Sequence, residues 1–110
     1  MIEGNAEAII QVDLGQGTDE IGAPLEEWKD VQSITGWLDV SDGDSKHTFN
    51  AKIQESTHVF VADYKALDNR IKAETSRIVI NGLIYDVMMI DDPMGLHEQL
   101  EIYLKYTGGQ

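Results

Sequence analysis

The 110-residue sequence contains no cysteine, two prolines and eight basic side chains. Without cysteine, the chain has neither the disulfides that staple small secreted domains nor thiolate ligands for a metal. No stretch approaches the roughly 20 consecutive apolar residues of a membrane-spanning helix. The first residues also lack the basic start of a signal peptide, because Glu3 and Glu7 flank the first short apolar run. These absences predict a soluble protein that is not exported, and the length suits one domain over residues 1–110.

Acidic residues dominate the charge that the sequence does contain. Twenty Asp and Glu side chains oppose the eight basic ones, which gives a formal net charge of −12. Eleven of the acids and one base, Lys29, fall within residues 1–44, so the N-terminal part should present an acidic surface. This composition disfavours direct affinity for nucleic acid or for anionic membrane, since both are bound mainly through Lys and Arg. Such a surface keeps a protein soluble and monomeric, repels an anionic neighbour or meets a basic partner.

The pattern of apolar residues predicts a mainly β fold, a small antiparallel β-barrel of about six strands. The runs with strand character are residues 8–12, 33–40, 47–54, 57–62, 77–90 and 99–106. Within 77–90, Asn81 and Gly82 form the preferred two-residue turn of a β-hairpin, because both tolerate positive φ. Gly36 suits a bulge or a sharp bend, as at a barrel corner. The last run alternates between two faces of a strand. One face, predicted to be buried, has Leu100, Ile102, Leu104 and Tyr106, and the other, predicted to be solvent-exposed, has Gln99, Glu101, Tyr103 and Lys105.

The segments between these runs predict loops and at most one short helix. Three glycines and a proline within residues 15–24 indicate a loop. A long polar loop is predicted at Ser41, Asp42, Gly43, Asp44, Ser45 and Lys46. Residues 64–72 contain Ala, Leu and Lys and favour a short helical turn. Residues 91–95 break the strand that precedes them.

The aromatic residues are predicted to fill the barrel. This prediction covers seven of the eight: Trp28, Trp37, Phe60, Tyr64, Tyr85, Tyr103 and Tyr106. The alternative, a platform for single-stranded nucleic acid, requires interleaved basic residues that this sequence lacks. Met88, Met89 and Met94 are interpreted as gap-filling core residues or as an adaptable contact surface.

Motifs for catalysis and metal binding are incomplete. Asp39, Asp42 and Asp44 suggest a calcium loop, but its glycine falls one place early and Asn50 stands where the closing glutamate belongs. The sequence contains neither a Gly-x-Ser-x-Gly elbow nor a complete phosphate-binding loop. We therefore predict no catalytic residues, no cofactor and no metal.

One carboxylate–imidazole combination remains as a further hypothesis. Asp91, Asp92 and His97 could assist a metal-dependent hydrolysis, although a bend after a strand commonly holds these residue types. Metal-dependent thermal stabilisation would distinguish such an enzyme from a binding protein.

The order of the segments resembles that of the phage head–tail joining proteins, the small head-completion or stopper proteins of long-tailed bacteriophages and their prophage relatives. The matching residues are Asp63-Tyr64, Arg77 to Gly82, Tyr85, Val87, Ile90, Asp92-Pro93 and Leu100 to Leu104. The resemblance is most specific over residues 77–104, where Asn81, Gly82, Asp92 and Pro93 are the structural signature of the hairpin and of its end. Asp63 stands where the family often has an arginine.

This resemblance implies a virion subunit that forms a homo-oligomeric ring at the head–tail interface and is present in the host cytoplasm during assembly. Its partners would be the portal, adaptor and tail proteins of the particle. The ring would extend the DNA channel, and in stopper proteins a loop projects into the lumen and helps to retain packaged DNA. The adaptor can act as the template for such a ring, so the isolated chain can be a monomer.

The matching lumen loop in this sequence is residues 41–46. We expect Asp42 and Asp44 to face the lumen, because DNA must pass through it without tight binding. The alternative function is an acidic protein-binding module or inhibitor that docks on a basic partner. That alternative predicts tight, salt-sensitive binding and no ring.

Overall fold

The computed structural model describes residues 4–40 and 56–107, which form a closed antiparallel β-barrel. Its strands are β1 (Ala6–Asp13), β2 (Trp28–Val40), β3 (His58–Asp63), β4 (Ser76–Ile80), β5 (Leu83–Asp91) and β6 (Gln99–Tyr106). The order around the barrel is β1-β2-β3-β6-β5-β4. The predicted mainly β fold is confirmed. The expected strand at 47–54 and the polar loop at 41–46 lie outside the described residues.

The interior of the barrel is filled by apolar side chains. The largest fully buried ones are Phe60, Ile10, Ile78, Ile80, Ile102 and Leu104. They come from β1, β3, β4 and β6 and point inward at alternate positions, as the two-residue period of a strand requires. Burying each such side chain stabilises the fold by about 1.5–3 kcal/mol. The barrel is therefore a packed core and not a channel.

Gly36 lies at the point where β2 changes its neighbour. Up to Gly36 the strand pairs with β1, and from Trp37 onward it pairs with β3. A Cβ on Gly36 would lie 2.5 Å from the carbonyl oxygen of Val61, so the two strands meet here closely enough to require glycine. The bulge in β2 lies elsewhere, at Val31, where the register with β1 shifts. Of the two predicted alternatives for Gly36, the bulge is therefore wrong, and the bend stays a prediction.

The hairpin of β4 and β5 closes at Asn81 and Gly82, as the sequence predicts. Ile80 pairs with Leu83, which leaves two residues in the turn. Their φ angles are 52° and 79°, the positive values of the favoured hairpin turn. The strand after the turn contains a second register shift, between Val87 and Met89, before it ends at Asp91.

The segment from residue 64 to residue 75 crosses one end of the barrel from β3 to β4, which lie on opposite sides. The helical turn predicted over residues 64–72 is wrong, because the described residues turn helically at Ala73–Thr75 instead. Gln32 of β2 explains the difference. Its side chain donates to the carbonyl of Ala66 at 3.2 Å and accepts the N–H of Asp68 at 2.8 Å, so these backbone groups bond to the barrel and not to a helix.

The crossing segment also closes this end of the core. Ile71 is buried, and Leu67 and Ala73 pack against the same cluster of apolar side chains. Within residues 4–40 and 56–107, no helix is long and apolar enough to cross a membrane.

The prediction that every aromatic residue is core needs correction. Phe60, Tyr85 and Tyr103 are buried, whereas Trp37 is 48% exposed and Tyr106 is 37% exposed. Trp37 follows Gly36 and occupies the outward position beside inward-facing residues of β2. Tyr106 is the final residue of its strand, where the barrel no longer covers it.

Other predicted burial patterns are correct in part. Leu100, Ile102 and Leu104 are buried as predicted, but Tyr103 on the supposedly wet face is buried as well. Its hydroxyl donates to Glu101 at 3.0 Å, which satisfies the polar end of the side chain. Met94 is 91% exposed and so is not a core residue, while a role in a contact surface remains open to it.

Candidate interaction surface

Because the barrel interior is filled, the surface loops are the places where a partner could bind. β1, β3 and β5 run in the same direction, since each is separated from the next by antiparallel pairings. The connections that follow them therefore emerge at one end of the barrel, which we call the loop end. They are residues 14–27, 64–75 and 92–98.

Residues 14–27 form an ordered hairpin-like projection, which we call the arm. Its backbone bonds run from Leu14 N to Glu27 O at 2.8 Å, from Leu25 N to Gly17 O at 3.2 Å and from Asp19 N to Ala23 O at 2.9 Å. Thr18 and Pro24 form an isolated β-bridge across it. The loop expected from the glycines at 15–24 is therefore a folded element.

The Asp13 carboxylate closes the base of the arm. Its Oδ1 accepts the backbone N–H groups of Glu27 and Gly15, each at 2.9 Å. These bonds, that of Glu27 first, hold the pKa of Asp13 below its ordinary value, because they stabilise the ionised carboxylate.

A second aspartate organises the tip of the arm. Asp19 Oδ1 accepts the backbone N–H groups of Ile21 and Ala23, each at 2.9 Å. Between them Gly22 has a φ of 86°, which glycine adopts without steric cost. Aspartates that bond to backbone a few residues ahead stabilise tight turns. The two aspartates thus fix both ends of the arm.

The arm has exposed apolar side chains and several acidic residues next to them in the sequence. Ile21 is 90% exposed, Leu25 47% and Leu14 38%. Residues 14–27 contain four acids and no base. Single exposed apolar residues are common, but three on one ordered projection form the kind of surface that partner proteins cover.

The β5–β6 loop, residues 92–98, is a second ordered feature of the loop end. Asp92 accepts the backbone N–H of His97 at 3.0 Å, and its other oxygen contacts Nδ1 of the same histidine. The His97 ring stacks on Tyr64 with centroids 4.5 Å apart. Met94 and His97 both have positive φ, a costly conformation that these contacts maintain. As a result, Met94 and Leu96 project into solvent.

The residues predicted to form sites are distributed over the barrel and do not converge. Asn81-Gly82 and Asp92-Pro93 terminate β5 at its opposite ends, so they lie at opposite ends of the barrel. Ser41, Asp42, Gly43, Asp44, Ser45 and Lys46 are outside the described residues. The hairpin signature is thus a set of turn-forming residues.

The side chains of Asp91, Asp92 and His97 do not form one site. Asp92 and His97 contact each other, whereas Asp91 lies in β5 paired with Glu101. In the part of the chain that the structure describes, no group of three or more histidine and carboxylate side chains could hold a metal ion.

An open depression of about 350 Å³ lies on the outer wall beside the β2 bulge. Its lining includes Glu7, Asp30 and the bulged Val31. Asp30 also accepts a hydrogen bond from Gln11 at 2.8 Å, and Gln11 in turn accepts one from Arg77 at 2.7 Å. These two hydrogen bonds join β2, β1 and β4 on the outer wall of the barrel, next to the arm.

The arm is a functional candidate that the sequence alone did not predict. Its signals were present, because Asp13 precedes Gly15 by two residues and Asp19 precedes Gly22 by three, a spacing typical of side-chain-stabilised turns. The apolar residues within 14–27 follow neither a strand period nor a helical period, so the sequence did not indicate which of them are exposed.

Comparison with known proteins gives a similarity of fold. No protein-family model matches the sequence, and no curated protein matches it. The fold is similar to the solution structure of a protein from Shigella flexneri 2a, with a TM-score of 0.69 and 19% sequence identity. The similarity covers 98% of this chain and 96% of the other. At this level of identity the likeness concerns the fold.

Proposed function

We propose that this protein is a structural subunit of the head–tail joining ring of a tailed phage or prophage. The observation that carries the proposal is a solid barrel with two ordered, apolar-tipped loops at one end. A subunit of this form has protein-binding surfaces at its loops and a core that serves only to hold them in place.

The segment with the sequence resemblance supports this proposal. Residues 77–104 span β4, β5 and most of β6, three successive neighbours in the barrel. The resemblance therefore falls on one continuous wall of the fold and includes the turns at both of its ends.

In this role, DNA passes through the central lumen of the ring and not through any single barrel, because each interior is packed. The net charge of −12 suits a lumen that DNA must traverse without adhering. The assignment of Asp42 and Asp44 to the lumen, and of residues 41–46 to its gating loop, remains part of the proposal. A ring structure with both aspartates on the outer surface would contradict it.

An acidic module that docks on a basic partner is the second candidate, because the arm contains four acids and no base. The two functions differ in assembly, since the acidic module predicts salt-sensitive binding to a basic protein without a ring.

Electron microscopy of the protein mixed with the products of its neighbouring genes tests the proposal. The head–tail function predicts neighbours that include a portal, capsid or tail-terminator protein, and ring-shaped particles on the portal–adaptor complex. Absence of rings on a portal–adaptor complex prepared from those genes would overturn it.

A further inference from the structure

Trp37 stands on the outer wall of the barrel, away from the loops of the loop end. It is 48% exposed, because the outward positions of β2 alternate with inward ones such as Ile34. Val61 of β3 lies directly opposite Trp37 and is itself only partly buried. A large part of the indole ring is therefore open to solvent.

Carboxylates border Trp37 on all three strands of this wall. Asp39 is the next outward residue of β2. Glu7 of β1 and Asp63 of β3 are both exposed and are diagonal neighbours of Trp37 across the sheet. Diagonal neighbours lie about 7–8 Å apart, within reach of aromatic and long side chains. We call Trp37, Glu7, Asp39 and Asp63 the tryptophan patch.

No Lys or Arg of these three strands lies beside the carboxylates of the patch. β1 and β3 contain neither residue type, and the one base of β2, Lys29, is at the other end of that strand. There Lys29 pairs with Glu27 at 3.1 Å. The tryptophan patch therefore combines an exposed aromatic face with local negative charge.

This combination favours a cation with a planar body. An arginine guanidinium stacks on aromatic faces and donates paired hydrogen bonds to carboxylates, whereas a lysine ammonium is a point charge. Tryptophan and arginine are also enriched among the residues that dominate binding energy at protein interfaces. Phosphate-rich partners such as nucleic acid or an anionic membrane would be repelled by the same carboxylates.

A second copy of this chain does not supply the guanidinium. The sequence contains two arginines, and both are already engaged. Arg70 pairs with Asp68 at 2.9 Å. Arg77 lies over the ring of Trp28, 4.2 Å from its centroid. The arginine must therefore come from a different protein.

From these relationships we infer that the tryptophan patch docks an arginine of a basic partner protein. The guanidinium stacks on the Trp37 ring and donates to the carboxylates beside it. The patch lies on the barrel wall, so this inference goes beyond the ring of the proposed function and holds for a single chain.

An NMR titration with a capped peptide of alternating arginine and glycine tests the docking. The two tryptophans give two indole N–H signals, which Trp37→Leu assigns. We expect the Trp37 signal to shift and saturate while that of Trp28 stays constant, and a glutamate–glycine peptide to shift neither. Followed at the Asp39 amide, binding should weaken about two- to fivefold in Trp37→Leu, as the loss of one exposed cation–π contact predicts.

A matched pair of charge variants separates the patch from the general acidity of the chain. Glu7→Gln/Asp39→Asn and Glu74→Gln/Asp86→Asn each remove two exposed carboxylates, and the second pair lies outside the patch. The first variant should weaken binding about threefold or more, and the second should leave it unchanged. Equal weakening by both, or no shift at Trp37, would overturn the inference. So would an equal shift with a leucine–glycine peptide, which indicates an apolar occupant, or a Trp37 shift that follows protein concentration alone, which indicates a second copy.

Discussion

Asp13 Oδ1 accepts the backbone N–H of Glu27 at 2.9 Å, a bond between the last residue of β1 and the last residue of the arm. The same oxygen holds the first turn of the arm through Gly15. A surface that is ordered before it meets a partner loses less conformational entropy on binding. The Asp13–Glu27 bond therefore attaches the arm to the barrel wall and keeps the arm ordered for binding.

Removing the Asp13 carboxylate should release the arm while the barrel stays folded. In Asp13→Ala, the amides of Gly15 and Glu27 lose their acceptor and should exchange with solvent about tenfold faster or more. Hydrogen exchange followed by NMR measures this change residue by residue. Asp86→Ala is the control, because Asp86 is an exposed acid on β5, a strand that the arm does not join. Equal protection of the two amides in Asp13→Ala and the wild type would contradict the assigned role.

Acid should release the arm in the wild type as well. The pKa of Asp13 is lower in the folded protein, so the ionised carboxylate contributes stability that is fully present above its unfolded value near 4. This contribution disappears as the pH falls through the folded pKa. The amide chemical shifts of Gly15 and Glu27 should therefore titrate together below about pH 4. Shifts that stay constant to the acid unfolding point would argue against the carboxylate.

Gly36→Ala should destabilise the whole barrel. The added methyl would lie 2.5 Å from the carbonyl oxygen of Val61 and 2.8 Å from the Phe60 ring. Overpacking of this kind costs about 1–3 kcal/mol, which urea unfolding detects as a lower midpoint with an unchanged slope. Ser33→Ala on the same strand is the control, since Ser33 is exposed. A change below about 0.5 kcal/mol in Gly36→Ala would show that the strands can separate there without cost.

Tyr103 should be the last tyrosine to ionise. Burial, together with its hydrogen bond to Glu101, raises the pKa of Tyr103 to about 12. Because the folded value exceeds the unfolded value near 10, the protonated phenol contributes stability below pH 10 that is lost as the pH rises toward 12.

Ultraviolet titration of tyrosinate formation in the wild type and in Tyr103→Phe isolates this group. The variant should lack the component with the highest pKa, while Tyr85, whose pKa burial also raises, remains. Loss of a component near the ordinary tyrosine value instead would contradict the burial of Tyr103.

Local signals in the sequence predicted the parts of the fold that depend on local chemistry. The turn at Asn81-Gly82 follows from the φ angles that those two residues tolerate. The inward face of β6 follows from the alternation of Leu100, Ile102 and Leu104. These features require no knowledge of neighbouring strands.

The errors occur where a distant residue decides the local structure. Residues 64–72 have helical composition, yet Gln32, on a strand far away in sequence, takes up their backbone hydrogen bonds. Trp37 has core character, but in the closed barrel its side of β2 faces outward.

Native mass spectrometry of the wild-type protein mixed with a portal–adaptor complex prepared from its neighbouring genes tests the proposed ring assembly most directly. The account predicts one closed species with more than two copies of this chain per complex, and its loss in the arm variant Ile21→Ser/Leu25→Ser. A complex that binds a single copy, or at most a two-fold dimer, would contradict the proposed ring.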